Sequence, residues 1–354
     1  MIEKFISAVI IFFMGTTAVP SKLPVKKIIP QINNSTKSIF VPSWMANAPI
    51  SDDVYSGYYL FGIVPNDDGT IDQKALDAQW KNMSSISDKK KYITLQLHEQ
   101  KSILGYLEDG KRQSILTNSV NSYLSSHNAQ GVVLDLELSF TTNAQREGQI
   151  SQFVQTLCTG VQKNYRTCFV AVYGDSFYRS RPYDIKKIGE VADRVLIMAY
   201  DFHKAGGEPG PNYSFDERQK YGYDFKQMIT DFAAVVPKEK IEVIYGMYGY
   251  DWTMNEQGTP LKSAKAFTLN EIQAQIAKHV TYNTERSKNL SENTTRYAYR
   301  VTRNVAAEKS IQYIDNDGRS HILWYEDEES VAVKTRYLQQ MGISQVSFWA
   351  WSYF

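Results

Sequence analysis

The sequence has little of what most metal, redox or nucleic-acid chemistry needs. Histidine occurs only five times in 354 residues, at 98, 127, 203, 279 and 321, and none shows the spacing of an HExxH zinc helix. No Walker-type loop, zinc-finger pattern or GxGxxG turn is present. We therefore expect no metal and no cofactor. Charge of one sign is also missing: the formal net charge is +1 and the pI near 7.6. That balance gives no footprint for nucleic acid and no acidic tail. Cysteine appears only at 158 and 168. With no histidine in a convincing partner position, a structural role is expected for both, bridged or free. There is no internal repeat and no low-complexity tract.

Long apolar runs are lacking except at the start. Lys4 precedes the run Phe5 to Met14, and Gly15, Thr16, Thr17 and Ala18 follow. The run is too short to span a bilayer comfortably, and its flanks have the layout of a signal peptide cleaved after Ala18. The expected organisation is a signal peptide over 1–18, a polar lead-in over 19–36 and a folded unit over 37–354. The mature chain should be exported, without a membrane span, and monomeric. Export would permit a Cys158–Cys168 disulfide.

What the chain does have is aromatic residues, with 24 Tyr, 16 Phe and 6 Trp. Much of this is core, but aromatic excess also suits stacking on the apolar faces of sugars. Strand-like runs alternate with helix-like ones. The strands read as 38–44, 58–65, 91–98, 131–138, 168–174, 194–202, 241–250 and 343–352. Helical spacing falls over 73–83, 113–126, 146–165, 223–236 and 328–341. Eight strands with intervening helices predict an α/β fold, a (β/α)8 TIM barrel. The segment 252–327 breaks the alternation. Its short β-prone pieces and the turn signal DNDG at 315–318 predict a small α+β insertion between strands 7 and 8.

One strand is unusual. In GVVLDLELSF (131–140), Val132, Leu134, Leu136 and Leu138 share one face, while Val133, Asp135 and Glu137 share the other. A strand buried on both faces belongs to a parallel sheet. Acids at its C-terminal end stand where such folds place their chemistry.

Several segments together resemble glycoside hydrolase family 18, and within it the spore-germination-type peptidoglycan N-acetylglucosaminidases. They are LDLE (134–137), LIMAYD (196–201), YGYDW (248–252), WYED (324–327) with Ser330 and Lys334, and VSFWAWS (346–352). The resemblance runs in order from about residue 38 to the C-terminus. The family motif ends in D-x-D-x-E, which places its final Asp at Asp135 and its Glu at Glu137. The chain departs from the motif at Val133 and Gln130, where acids are usual, so Asp135 loses a usual partner.

The resemblance implies the chemistry. Most retaining glycosidases use two carboxylates roughly 5–5.5 Å apart, one of them the nucleophile. Asp135 and Glu137 lie two apart on one strand, with Cα atoms about 6.5–7 Å apart, and point the same way. They cannot easily flank a sugar from opposite faces. In the family the substrate's own 2-acetamido oxygen attacks the anomeric carbon. Glu137 is then the general acid and later the base. Asp135 orients the acetamide, and Tyr200 hydrogen-bonds its oxygen. Asp201 and Met198 are further sugar contacts, and Trp349 is the floor beneath the sugar. Tyr248, Tyr250, Asp251 and Trp44 are candidate cleft residues. The implied substrate is an N-acetylglucosamine-containing polysaccharide, cut after N-acetylglucosamine at β-1,4 bonds in peptidoglycan or chitin-type glycans. The alternative is a non-catalytic carbohydrate-binding protein on the same barrel, which Val133 favours and Glu137, Asp135 and Tyr200 oppose.

Overall fold

The computed structural model describes residues 35–45, 50, 54–81, 83, 86, 88–98, 100–138, 143–277, 300–303, 307–315 and 317–354. The expected signal peptide and nearly all of the lead-in lie outside these residues. So does most of the β-prone piece 294–300.

Eight parallel strands close into a barrel in the order β1-β13-β7-β6-β5-β4-β3-β2. They are β1 (Thr36–Pro42), β2 (Gly57–Ile63), β3 (Lys90–Leu97), β4 (Gly131–Leu136), β5 (Thr167–Tyr173), β6 (Arg194–Ala199), β7 (Ile241–Gly246) and β13 (Gln345–Trp349). Between them run α1 (Gln73–Lys81), α2 (Gln100–Glu108), α3 (Gly110–Ser126), α4 (Ala144–Gln162), α5 (Ile185–Val191), α6 (Arg218–Tyr221) and α7 (Phe225–Val235). α8 covers 269–277, and α9 (Glu328–Gln340) leads into β13. Side-chain caps start several helices. Asp109 accepts from Lys111 and Arg112 N–H, and Asn143 from Arg146 N–H. Asp327 and Ser330 form a capping box on α9.

The alternation along β4 is realised. Val132, Leu134, Leu136 and Leu138 belong to the core between barrel and helices. Val133 faces the barrel interior, in one cluster with Phe40, Tyr59, Tyr92, Phe169 and Met198. Cys158 on α4 and Cys168 on β5 are joined as a disulfide.

The insertion is a five-stranded sheet, β10-β11-β12-β8-β9. Its strands are β8 (Tyr248–Met254), β9 (Lys265–Thr268), β10 (Arg300–Arg303), β11 (Lys309–Ile314) and β12 (Ser320–Tyr325). All of its pairings are antiparallel. Here the sequence reading needs correction. The run 241–250 reads as one barrel strand, but the chain leaves the barrel after Gly246 and β8 already belongs to the insertion. Gly246 sits against Tyr200: a Cβ there would lie 2.8 Å from Tyr200 Cβ and 3.0 Å from Asn212 Nδ2. The new sheet thus begins at Tyr248, ahead of the expected boundary at 252. No helix among the described residues is long and apolar enough to cross a membrane.

Candidate active site

Asp135 is the next inward residue of β4 above Val133, and it is buried. It pairs in register with Gln96 on β3 and Ala171 on β5. Ala171 leaves the space beside it unfilled by a long side chain. Glu137 follows just beyond the strand, half-buried, with its backbone N–H donated to Leu97 O at 3.2 Å. Tyr173, at the end of β5, donates its hydroxyl toward Glu137 Oε2 at 3.4 Å. Tyr183 fixes the strand end from behind: its hydroxyl donates to Leu136 O at 2.6 Å and accepts from Leu138 N–H at 3.0 Å.

The electrostatics follow from this placement. Burial pushes the Asp135 carboxyl well above the usual range, and the Glu137 charge adds to the effect. Burial also raises Glu137, with Asp201 contributing. The charges of Lys204 and His98 and the Tyr173 hydrogen bond oppose the rise. Two acids this close resist ionising together, so the pair holds a proton to higher pH than an isolated carboxyl would. Burial first, and then the charges of Asp135 and Glu137, keep the Tyr200 hydroxyl protonated.

Tyr200 and Asp201 follow β6. Asp201 adopts a left-handed backbone, φ +58°, which a non-glycine residue needs support to hold. Its N–H donates to Asn212 Oδ1 at 2.7 Å. Its Oδ1 accepts from the Tyr250 hydroxyl at 2.9 Å and from the Tyr248 hydroxyl. Both tyrosines come from the insertion sheet, so β8 buttresses this corner. Met198 is buried in the interior cluster. Trp349 ends β13, packed edge-on against Phe61 at 4.4 Å between ring centroids. Trp44 is half exposed, and its ring lies 6.2 Å from that of Trp349.

Asp251 is a correction. Strand alternation turns it to the opposite face of β8 from Tyr248 and Tyr250. There it accepts from the Tyr313 hydroxyl at 2.6 Å and contacts His321 Nδ1 at 3.0 Å. It belongs to the packing of the insertion and not to the cleft.

The acidic run 326–329 is partly a helix start. Asp327 caps α9, and Glu328 and Glu329 fill the first turn. Glu326 does something else. It is fully buried, and its Oε2 accepts from Lys334 Nζ at 2.6 Å. Lys334, also fully buried, donates as well to Glu308 Oε1 at 2.8 Å. Sequence reasoning also passed over Tyr173 and Lys204. Tyr173 carries a signal, since it shares its parity with the inward Phe169 and Ala171. Among the described residues no three His, Cys, Asp or Glu side chains converge as metal ligands would.

The sequence profile described as "Glycosyl hydrolases family 18" matches residues 36–353. The chain belongs to this family. It is a glycosidase on a (β/α)8 barrel. Among its relatives is a protein of Bacillus subtilis (strain 168) named as a sporulation-specific glycosylase, YdhD. The two are 24% identical, over 92% of this chain and 74% of YdhD. The cortical fragment-lytic enzyme of Bacillus anthracis is 28% identical over 47% of this chain and only 33% of its own length. Among solved structures, a family 18 chitinase of Cycas revoluta crystallised with (GlcNAc)4 superposes with a TM-score of 0.70. Its identity is 17%, covering 89% of this chain and 95% of the chitinase. At that identity the likeness speaks for the fold.

Proposed function

We propose that this family 18 glycosidase is an exported retaining hydrolase that cleaves β-1,4 bonds after N-acetylglucosamine in peptidoglycan or chitin-type glycans. The observation that carries this reading is the placement of Asp135, buried on β4, and of Glu137 just beyond the strand on the same side, beside Tyr200. Both acids project from the same side, so neither can attack from the sugar face opposite the other. The other nearby carboxylate, Asp201, is engaged by two tyrosine hydroxyls. This arrangement supports the mechanism the family resemblance implies, in which the substrate's own 2-acetamido oxygen is the nucleophile.

Glu137 donates its proton to the glycosidic oxygen as the bond to the anomeric carbon breaks. The acetamide oxygen forms the new bond to that carbon, giving a cyclic oxazolinium. Asp135 stabilises the positive acetamide nitrogen, and Tyr200 holds the oxygen in line. Glu137, now a carboxylate, takes a proton from water as that water opens the ring, which retains the configuration. Trp349 is the floor and Trp44 an outer stacking surface. Asp201 and Met198 complete the pocket wall. The sporulation-specific and cortical fragment-lytic relatives support peptidoglycan, and the chitinase crystallised with (GlcNAc)4 supports chitin-type glycans. The disulfide supports export, since such bonds persist in oxidising compartments.

The test is product release by mass spectrometry from chito-oligosaccharides and from peptidoglycan, for residues 19–354 and for Glu137→Gln. The expected result is products from the parent, and about 10²–10⁴-fold fewer from the variant. Equal turnover of a glucan lacking the 2-acetamido group would sink the mechanism. Glycan binding without products from either protein would favour the carbohydrate-binding alternative, which Val133 beneath Asp135 brings forward.

A further inference from the structure

The strained corner at Tyr200–Asp201 has a support that runs through the molecule. Asn212, itself 2% exposed, accepts the Asp201 N–H with Oδ1 at 2.7 Å and donates through Nδ2 to Gly246 O at 3.2 Å. Its backbone carbonyl accepts the N–H of Phe202 at 2.9 Å. One side chain thus ties the residues after β6 to the end of β7. Asn212 is in turn held by charge. The fully buried Glu308, just before β11, accepts the backbone N–H groups of Asn212 at 2.6 Å and Tyr213 at 2.7 Å, one on each carboxylate oxygen. Lys334 on α9 anchors Glu308, and Glu326 at the end of β12 anchors Lys334.

We propose that Asn212, held by the Glu308–Lys334 ion pair, is a positioning residue for the reaction: it fixes the Tyr200–Asp201 corner against Asp135 and Glu137. This rests on the substrate-assisted reading above. Three things point the same way. The corner needs an external acceptor, because the Asp201 N–H faces away from regular strand pairing at a positive φ. The amide oxygen and nitrogen of Asn212 are both used, in opposite directions, so the side chain acts as a two-ended spacer between β6 and β7. Its own backbone is pinned by a charged acceptor, and such hydrogen bonds are stronger than neutral ones. A shift of Tyr200 by even about 1 Å would misalign the acetamide oxygen, at a cost of up to roughly 100-fold in rate.

The experiment measures kcat and KM from pH 4.5 to 8 on whichever glycan the parent cleaves, chitotetraose or peptidoglycan fragments. The variants are Asn212→Leu and Asn212→Asp, each checked for folding by circular dichroism. Asn212→Leu keeps the branched shape, with a larger volume, and loses both hydrogen bonds. Its kcat should fall by about 10- to 100-fold at every pH, with KM within about threefold. Asn212→Asp carries its own internal rescue. When protonated, its carbonyl accepts from Asp201 N–H and its O–H donates to Gly246 O, as the amide does. Its kcat relative to the parent should therefore climb as pH falls. A merely structural residue would lower stability without producing that slope. If Asn212→Leu does not fold, the pH slope of Asn212→Asp alone decides. A folded Asn212→Leu with parental kcat, or a flat ratio for Asn212→Asp, overturns the proposal. A parent that cleaves neither glycan overturns the proposed function itself, and the positioning role with it.

Discussion

Replacing Glu326 with glutamine should make the protein more stable at alkaline pH and leave it nearly unchanged at acid pH. The buried cluster holds one ammonium, Lys334, and two carboxyl groups, Glu308 and Glu326, with none of the three exposed. Such a cluster is neutral only if one acid keeps its proton. Burial is the main cause that pushes Glu326 up to about 8, and Glu308 adds to it against the pull of Lys334. The unfolded chain gives up this proton near 4.5, the ordinary value for the group. Between those two values the folded state binds more protons than the unfolded one, so stability falls as pH rises. The full contribution is present below about 4.5 and is lost by about 8. At about 1.4 kcal/mol per unit, the loss is on the order of 4–5 kcal/mol. A chain of 354 residues unfolds with an entropy of about 0.7 kcal/mol per degree. The midpoint should therefore drop by roughly 6 °C across the window. In Glu326→Gln the amide oxygen still accepts from Lys334 and the substituted side chain does not titrate. Thermal unfolding of parent and variant at pH 5 and pH 8.5 reads the effect. Asp135 and Glu137 tilt both proteins alike, so the difference between the two isolates Glu326. The variant should match the parent at pH 5 and exceed it by about 6 °C at pH 8.5. A gap that does not change with pH would refute the assignment of the proton.

Removing the Lys204 ammonium with Lys204→Met should let Glu137 rise further, because that charge now opposes the effect of burial. The alkaline limb of the kcat–pH profile should move to higher pH, and a limb that stays or moves down would contradict this. The Cys158–Cys168 bridge closes a short loop, with a sequence separation of 10. Its removal by paired Ser substitution should cost about 3 kcal/mol, read as a midpoint about 4 °C lower that no longer responds to reductant. Trp44→Ala should raise KM about fivefold with kcat nearly unchanged, since a half-exposed outer ring binds ground and transition states alike. A matching fall in kcat would place Trp44 at the reacting sugar instead.

The barrel was legible because parallel strands carry their signal locally. Each is a short apolar run, and period two on β4 alone separates Val133, Asp135 and Glu137 from the leucines that face the helices. What escaped notice is non-local or depends on a boundary. The face of Asp251 is set only once 248–254 is a strand of its own, whereas 241–250 reads as one barrel strand with Asp251 just past its end. α2 was missed because QKSILGYLE is short and runs almost directly into α3. Glu308, Glu326 and Lys334 come from three separate elements, and Asn212 lies 96 residues before Glu308. No spacing rule links such positions. Glu326 was further masked by its neighbours, which do form an ordinary helix start. Tyr248 and Tyr250 read as sugar contacts, but their hydroxyls are spent on Asp201.

The insertion is therefore more than a wall beside the cleft. An acid whose proton affinity is raised by burial needs water kept away, yet the C-terminal mouth of a barrel is open to the substrate. The structure meets both demands by bringing rigid groups from outside the barrel to the strand ends. Tyr248 and Tyr250 close over Asp201, whose charge helps raise Glu137. The loop that carries Lys204 is stitched to the same sheet, through Ala264 N–H to Ala205 O at 2.7 Å and Trp252 Nε1 to Gly207 O at 2.9 Å. Of the charges that pull Glu137 in opposite directions, Asp201 is gripped by the insertion and Lys204 rides on a loop tied to it. The proton affinity of Glu137 is thus set jointly by β4 and by a sheet far from it in sequence. A change that loosens the insertion should move the pH profile before it moves the fold.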